Sequence, residues 1–549
     1  MSEALVNIAA YLPKIAAQQP HTFGVVFPET RDGEGRVAYT HFTYAQLDRE
    51  CDRVAWALTE YGIRRGDRVV LMVKPSLAFF ALTFALFKMG TVPVFVDPGM
   101  GVKNLKKCLE EAEPDAFVGV PKAHVARLLL RWPRVRKLVT VGRKLWGGET
   151  LQNLCAAVRD KGAFATADTR AEDLAAILFT SGSTGPPKGA VYSHGIFDSQ
   201  VRLLGKTYGI QPGEVDLATF PLFALFAPAL GMTAIVPDMD ATRPADVDPV
   251  KIFEAIENFG VTNMFGSPAL LNTVSRYAVA NGVTCPSLRR VISAGAPVSP
   301  AVLRRMARLM PEGVQVFTPY GATESLPVCN IGSAVILAET ETLTDQGRGV
   351  CVGFPVEEME VRIIAINDAE LETWDDRLAL PPGEVGEVVV KGPVVTRRYF
   401  NREQATREHK MKDGDQVRHR MGDLGYFDEQ GRLWFCGRKA HRVQTAQRLL
   451  FTVQVEGVFN SHPDVYRSAL VGTGADAAAQ EPVVFLELET NRASGKSEQA
   501  IISELRELAL QFEHTAVIER FIVHPGFPVD IRHNAKIFRE KLRAELSGA

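Results

Sequence analysis

The sequence shows no excess of charge of either sign: 62 Lys and Arg against 64 Asp and Glu leave a formal charge of -2 over 549 residues. That balance argues against a dedicated nucleic-acid binder, which needs a basic stripe, and against a polybasic membrane-surface protein. Paired cysteines are missing as well. The seven (Cys51, Cys108, Cys155, Cys285, Cys329, Cys351 and Cys436) are dispersed with no CxxC spacing, and only Cys436 has a histidine nearby in sequence, His441. Such spacing argues against a disulfide framework and a zinc site, and it fits a reducing, cytoplasmic setting. Long unbroken hydrophobic runs are also lacking. Residues 77–87 are apolar but closed off by Lys74 and Lys88, short of the ~20 residues a membrane span needs. Residues 217–236 are long enough and uncharged, yet Pro221, Pro228 and Gly231 interrupt them. A buried core or an acyl-chain pocket is expected there, and no transmembrane segment. The first twenty residues carry no basic stretch ahead of their apolar ones and do not read as a secretory signal.

What is present is globular. Hydrophobic residues make up 46% of the chain and charged residues 23%, an ordinary folded composition. At roughly 150 residues per domain the length corresponds to about 3.7 units. Apolar runs at 68–73, 91–96, 115–120, 138–141 and 174–180 read as strands alternating with helical stretches such as 76–89. A second series has strands at 261–265, 290–293 and 314–318, with helices at 268–281 and 300–309. Continuous apolar strands between helices predict parallel sheets covered on both faces. After residue 349 the texture turns β-rich, at 360–366, 387–391 and 432–435, and a compact stretch of helices and strands follows residue 438. The expected fold is α/β. A large N-terminal domain (1–437) holds two parallel α/β layers plus a β-rich subdomain at about 349–437, and a small mobile C-terminal α+β domain spans 438–549.

The sharpest local feature is Thr180-Ser181-Gly182-Ser183-Thr184-Gly185-Pro186-Pro187-Lys188-Gly189, directly after an apolar strand. Small residues let backbone N–H groups approach anionic oxygens, hydroxyls add donors, and Lys188 adds charge: the needs of a polyphosphate cradle. A Walker A loop would require Gly before the lysine and Ser or Thr after it. Here Pro187 precedes Lys188, and residues 190–194 read as another strand.

This segment resembles the phosphate loop of the adenylate-forming superfamily, which includes acyl-CoA synthetases, luciferases and peptide-synthetase adenylation domains. Further motifs follow in that family's order. Ser293-Ala294-Gly295-Ala296-Pro297 resembles its adenine wall, and Tyr320-Gly321-Ala322-Thr323-Glu324 the motif whose aromatic stacks on adenine. The resemblance implies that Thr323 contacts the α-phosphate, Glu324 meets Mg²⁺, Asp423 of Gly422-Asp423 binds ribose, and Arg438 marks the hinge. Arg532-His533-Asn534-Ala535-Lys536-Ile537 resembles the final motif, with Lys536 as the catalytic lysine, although Ala535 stands where the family usually has Gly. His194 resembles the histidine that often follows the phosphate loop and is a candidate catalytic residue; it could equally be a packing residue. ATP and Mg²⁺ are the implied cofactors. Chemistry agrees with the lysine: a carboxylate must approach an anionic phosphorus, and a positioned cation offsets the charge that builds there.

The departures from acyl-CoA ligases are informative. The hinge position two residues after Arg438 is Ala440, and the loop glycines expected to line a pantetheine tunnel are Ala446 and Gln447. Side chains there obstruct close approach by a thiol. The acyl-site segment Phe220-Pro221-Leu222-Phe223-Ala224-Leu225-Phe226 is wholly apolar where many ligases carry histidine. With Phe265-Gly266-Ser267-Pro268 it suits a long alkyl chain; Phe223, Phe226, Phe265 and Gly266 are the substrate candidates. The ensemble, with Val96-Asp97-Pro98-Gly99-Met100-Gly101, is most similar to the olefin-biosynthesis β-lactone synthetases. That resemblance implies adenylation of a long-chain β-hydroxy fatty acid followed by attack of its own β-hydroxyl. It also implies work beside a β-lactone decarboxylase and a β-keto acid reductase. The alternative is a fatty acyl-CoA or acyl-AMP ligase with an unusual acceptor loop.

Overall fold

The computed structural model describes residues 5–131, 135–144, 146–159, 161–180, 187–490, 494–529 and 536–547. Two seven-stranded sheets form its bulk. The first runs in spatial order Glu149–Thr150, Lys137–Thr140, Ala116–Gly119, Arg68–Met72, Val92–Val96, Leu174–Thr180 and Lys188–Ser193. All its neighbours are parallel except the last pair, in which Thr180 lies opposite Lys188. The second sheet runs Val316–Phe317, Arg290–Ile292, Asn263–Phe265, Val215–Ala218, Thr233–Ile235, Phe23–Arg31 and Val37–Thr43. It too is parallel apart from its last, antiparallel pair. The two parallel layers expected from the apolar strands are present, each finished by one antiparallel edge.

The helix Leu77–Lys88 explains how the layers join. It is apolar all round, and ten of its twelve residues are buried. A helix with no polar face must be covered on every side. Here it contacts strands of both sheets and the helix Tyr44–Glu60, inside one continuous core that includes Leu47, Leu58, Phe80, Leu82 and Phe84. Ser76 caps it by accepting the Phe79 N–H. Its last residue, Lys88, is buried, with Nζ 3.0 Å from Asp48 and 2.5 Å from Asp52. The charge that closed the apolar run in sequence is therefore neutralised inside the fold.

A third, antiparallel sheet has eight strands: Tyr320–Ala322, Ser325–Asn330, Val350–Pro355, Leu433–Arg438, Gln416–Phe427, Gly386–Lys391 and Glu360–Ile364 in a row, with Lys410–Asp413 paired to Gln416–Phe427. It already begins at Tyr320, ahead of the β-rich texture that starts after residue 349. Beyond it, a three-stranded sheet (Val465–Thr473, Glu481–Leu488, Arg520–Val523) packs with the helices Thr452–Asn460 and Glu498–Ala509 around a separate apolar cluster. All seven cysteines are free and buried. Among the described residues no helix is long and apolar enough to cross a membrane. Residues 217–236, the uncharged run, fold as two short strands flanking the helical turns Pro221–Ala224 and Phe226–Ala229.

Candidate active site

Thr323 and Glu324 form the two-residue turn of a hairpin between Tyr320–Ala322 and Ser325–Asn330. The strands come so close that a Cβ on Gly321 would lie 2.6 Å from the Ser325 carbonyl oxygen, which is why only glycine fits there. Three groups hold the turn in place. The Tyr192 hydroxyl donates to the Thr323 carbonyl at 2.5 Å, the Thr396 N–H to the Glu324 carbonyl at 2.8 Å, and the Tyr399 hydroxyl to Glu324 Oε1 at 2.8 Å. The Glu324 carboxylate is thereby oriented before any ligand arrives.

Cationic and imidazole groups gather around that carboxylate. Lys188 opens its edge strand half-buried, with Nζ 5.2 Å from the centre of the Tyr399 ring and 3.4 Å from His409 Nε2. Burial lowers its pKa, and the Glu324 charge partly opposes that. Lys410 is buried; its Nζ donates to Thr396 Oγ1 at 3.0 Å and lies 5.6 Å from the same ring centre. Burial pushes its pKa down to about 7. His409 and His419 stack at 6.3 Å, and burial holds both below the ordinary imidazole range. Sequence reasoning missed Tyr192, Thr396, Tyr399, His409, Lys410 and His419. The one available signal was the density of basic side chains along 407–420, and such runs normally denote a solvated face.

Asp423 lies inside the twelve-residue strand Gln416–Phe427, in register with Arg438, and is buried. The positive φ of the preceding Gly422, 66°, allows the strand to bend there. The Tyr320 hydroxyl donates to Asp423 Oδ2 at 2.6 Å, and Arg438 Nη1 is 2.9 Å from Oδ1. Burial raises the Asp423 pKa, while Arg438, Tyr320 and Lys536 oppose the rise. Lys536, from the far C-terminal segment, is therefore within electrostatic reach of Asp423.

These groups border one cavity of about 1230 Å³. Lys188, Gly295, Gly321, Thr323, Glu324, Arg438 and Lys536 line one end, and Phe223, Phe226 and Phe265 line an apolar arm in which Phe223 and Phe265 stack at 4.4 Å. Tyr320, Asp423, Ala296, Pro297 and Gly266 are not on its wall: Asp423 is buried in hydrogen-bond contact with Tyr320, Gly266 is buried against Leu271, Ala296 is partly exposed and Pro297 is exposed. Of the phosphate loop, Ser181, Gly182, Ser183, Thr184 and Gly185 lie outside the described residues, as does the side chain of Thr180. His194 is not on the cavity wall. It opens the helix His194–Tyr208, packs edge-on against Phe87, and accepts the Ile8 N–H through Nδ1 at 3.3 Å. Burial pushes its pKa down to about 4, so the structure gives it a packing place rather than a catalytic one.

This combination, a carboxylate and several cations at one end and an apolar arm at the other, can hold an anionic group beside an apolar one. Olefin beta-lactone synthetases of Stenotrophomonas maltophilia (strain K279a) and Xanthomonas campestris pv. campestris are 53% and 51% identical to this chain over 546 and 549 residues, covering 98% of it and 97% of each relative. The solved amide bond synthetase McbA from Marinactinospora thermotolerans has the same fold, with a TM-score of 0.79 at 23% identity over 98% of this chain and 99% of that one. The sequence profile described as AMP-binding enzyme matches residues 13–400, and with these relatives it establishes that the chain belongs to the AMP-binding enzyme family.

Proposed function

We propose that this protein is an ATP-dependent, AMP-forming ligase that converts a long-chain β-hydroxy fatty acid to its β-lactone. The carboxylate attacks the α-phosphorus of ATP and diphosphate leaves. The β-hydroxyl, losing its proton, then attacks the activated carbonyl; the acyl–phosphate bond breaks and AMP departs. Tethering replaces the binding of a second substrate, a gain in effective concentration that suits a four-membered closure. The observation that carries this reading is the near-complete, 53% identical match to an olefin beta-lactone synthetase; the apolar arm joined to a polar end supports it.

In this reading Lys188 and Lys536 meet the phosphates, Thr323 donates to the α-phosphate, and residues 438–549 act as the lid that delivers Lys536. Glu324 fits Mg²⁺: it offers a hard oxygen ligand on the cavity wall, already oriented by Tyr399. Bound there, the ion would offset charge on the phosphate oxygens. The reaction's place follows from its chemistry. A β-keto acid reductase supplies the β-hydroxy acid, and a β-lactone decarboxylase consumes the strained ring, so a complex with these two enzymes is part of the proposal.

The test is product identification. Enzyme, ATP, Mg²⁺ and a 3-hydroxy fatty acid are incubated with and without CoA. AMP and a dehydrated acid, formed without CoA, are expected. A thioester that appears only with CoA would instead make this an acyl-CoA ligase.

A further inference from the structure

The near-neutral charge of the whole chain is an average over an uneven distribution. Between residues 116 and 148 there are eight Lys and Arg and no Asp or Glu. Within that stretch the helix Pro121–Leu130 presents Val125, Leu128 and Leu129 to solvent at 48%, 51% and 79% exposure. Leu129 is the most exposed large apolar side chain among the described residues. Spacings of three and four residues put these side chains on one helix face, with exposed Lys122, Arg131 and Arg136 around it. The neighbouring helix Val102–Ala112 packs into the same apolar layer over the strand Ala116–Gly119 and adds an exposed Val102 beside Lys103.

The opposite side of the same helix has a different job. Ala123 and Ala126, with Val120 just ahead of them, line the large cavity. On that side Lys122 also reaches the cavity from the first turn, and His124 and Leu130 are buried, so one helix separates the cavity from an apolar, basic-rimmed outer face. Solvent-exposed leucines cost hydration free energy unless something covers them, and their basic surroundings select a cover of negative charge. Leucines on one face and Lys or Arg at its edge are the composition of a helix that lies in the headgroup layer of a bilayer. An acidic protein would match the charge but would not account for the cavity directly beneath.

We propose that the outer face of the helix Pro121–Leu130 seats on an anionic lipid surface, so that alkyl chains exchange between that surface and the cavity behind the helix. The exchange part rests on the reading that the cavity holds long alkyl chains; the binding part does not.

The test uses the full-length protein without substrate, in sedimentation with vesicles of phosphatidylcholine alone or mixed with phosphatidylglycerol. The wild type should bind the anionic vesicles at least tenfold more tightly than the neutral ones, and added salt should erase the difference. Leu128→Glu/Leu129→Glu should weaken binding roughly 100-fold, since two buried leucines are lost. Turnover of a short, water-soluble 3-hydroxy acid should stay unchanged, which also shows that the variant folds. Arg131→Glu/Arg136→Glu should lower anionic binding while sparing that turnover. A wild type that ignores both vesicles, or a leucine variant that binds as well as wild type, overturns the proposal. Self-association, or capture of an acidic protein through this face without vesicle binding, overturns it too. Because vesicle binding is read without catalysis, failure of the lactone chemistry would leave this result standing.

Discussion

Lys410 is a buried lysine that meets a hydroxyl and an aromatic ring rather than a carboxylate. Its folded pKa of about 7 lies below the 10.5 of a free lysine. Between those values the unfolded chain binds a proton that the folded chain does not, so stability rises with pH across that window. Below about pH 7 both states are protonated and the burial cost is felt in full. Lys410→Met removes the linkage: it should be more stable than wild type at pH 7, by a margin that shrinks towards pH 10. Urea midpoints across that range check it, and parallel curves for the two proteins would show that Lys410 keeps an ordinary pKa. Lys536 is the opposite case, a half-buried cation on the cavity wall. Lys536→Ala should slow adenylation by about 10²–10³-fold, the scale for losing one electrostatic stabiliser, with ATP affinity little changed; diphosphate release at saturating substrate and equilibrium ATP binding separate the two. Both lysines look alike in sequence. Lys536 was legible because its neighbours form a motif, whereas Lys410 sits in a run of basic side chains whose burial depends on strands that pair from a distance.

At the scale of elements, legibility followed apolar periodicity. The helices Pro268–Asn281 and Pro300–Leu309 occupy the residues their Ser-Pro starts and apolar spacing predict. The strand Gln416–Phe427 was not visible, because Arg418, His419 and Arg420 break any apolar pattern; Arg420 is held instead by Glu387 at 2.7 Å and by the backbone carbonyls of Ala369 and Glu408. The start of the antiparallel sheet at Tyr320 was hidden for a related reason: a hairpin turn made of Thr-Glu carries none of the glycine or asparagine that usually marks one. One junction gives a direct test. Gly437, the last residue but one of the strand Leu433–Arg438, has φ 130°, and a Cβ there would collide with the Thr452 hydroxyl at the start of the helix Thr452–Asn460. Gly437→Ala should cost about 1–3 kcal/mol, combining backbone strain with the collision. Adding Thr452→Ala should recover the collision part, since contacting residues couple non-additively. Denaturant melts of the two single variants and the double variant measure this, and strict additivity would mean the collision is relieved elsewhere.

At the scale of the whole molecule, the cavity belongs to no single unit. One wall comes from the first sheet and the buried helix Leu77–Lys88, through Leu71, Phe79 and Phe95. Another comes from the second sheet, through Phe265 and Val236. A third comes from the antiparallel sheet and Arg438, and the last cation comes from Lys536, near the C-terminus. Sequence motifs named many of these pieces in order but could not show that Phe79 and Phe223 line the same space, since that follows from the packing of two sheets across one apolar helix. The assembled arm predicts how rate depends on substrate length. Each methylene moved from water into it is worth roughly 0.8 kcal/mol, or about fourfold in kcat/KM. A homologous series of 3-hydroxy acids should therefore give a straight rise in log kcat/KM with carbon number, then a plateau once the arm is full. Phe223→Ala enlarges the arm and should move the plateau to longer chains while lowering kcat/KM for those that already fit, because an unfilled space forfeits contacts. If kcat/KM is flat across the series, the apolar arm does not hold the alkyl chain, and the stacked rings of Phe223 and Phe265 serve only to join the layers.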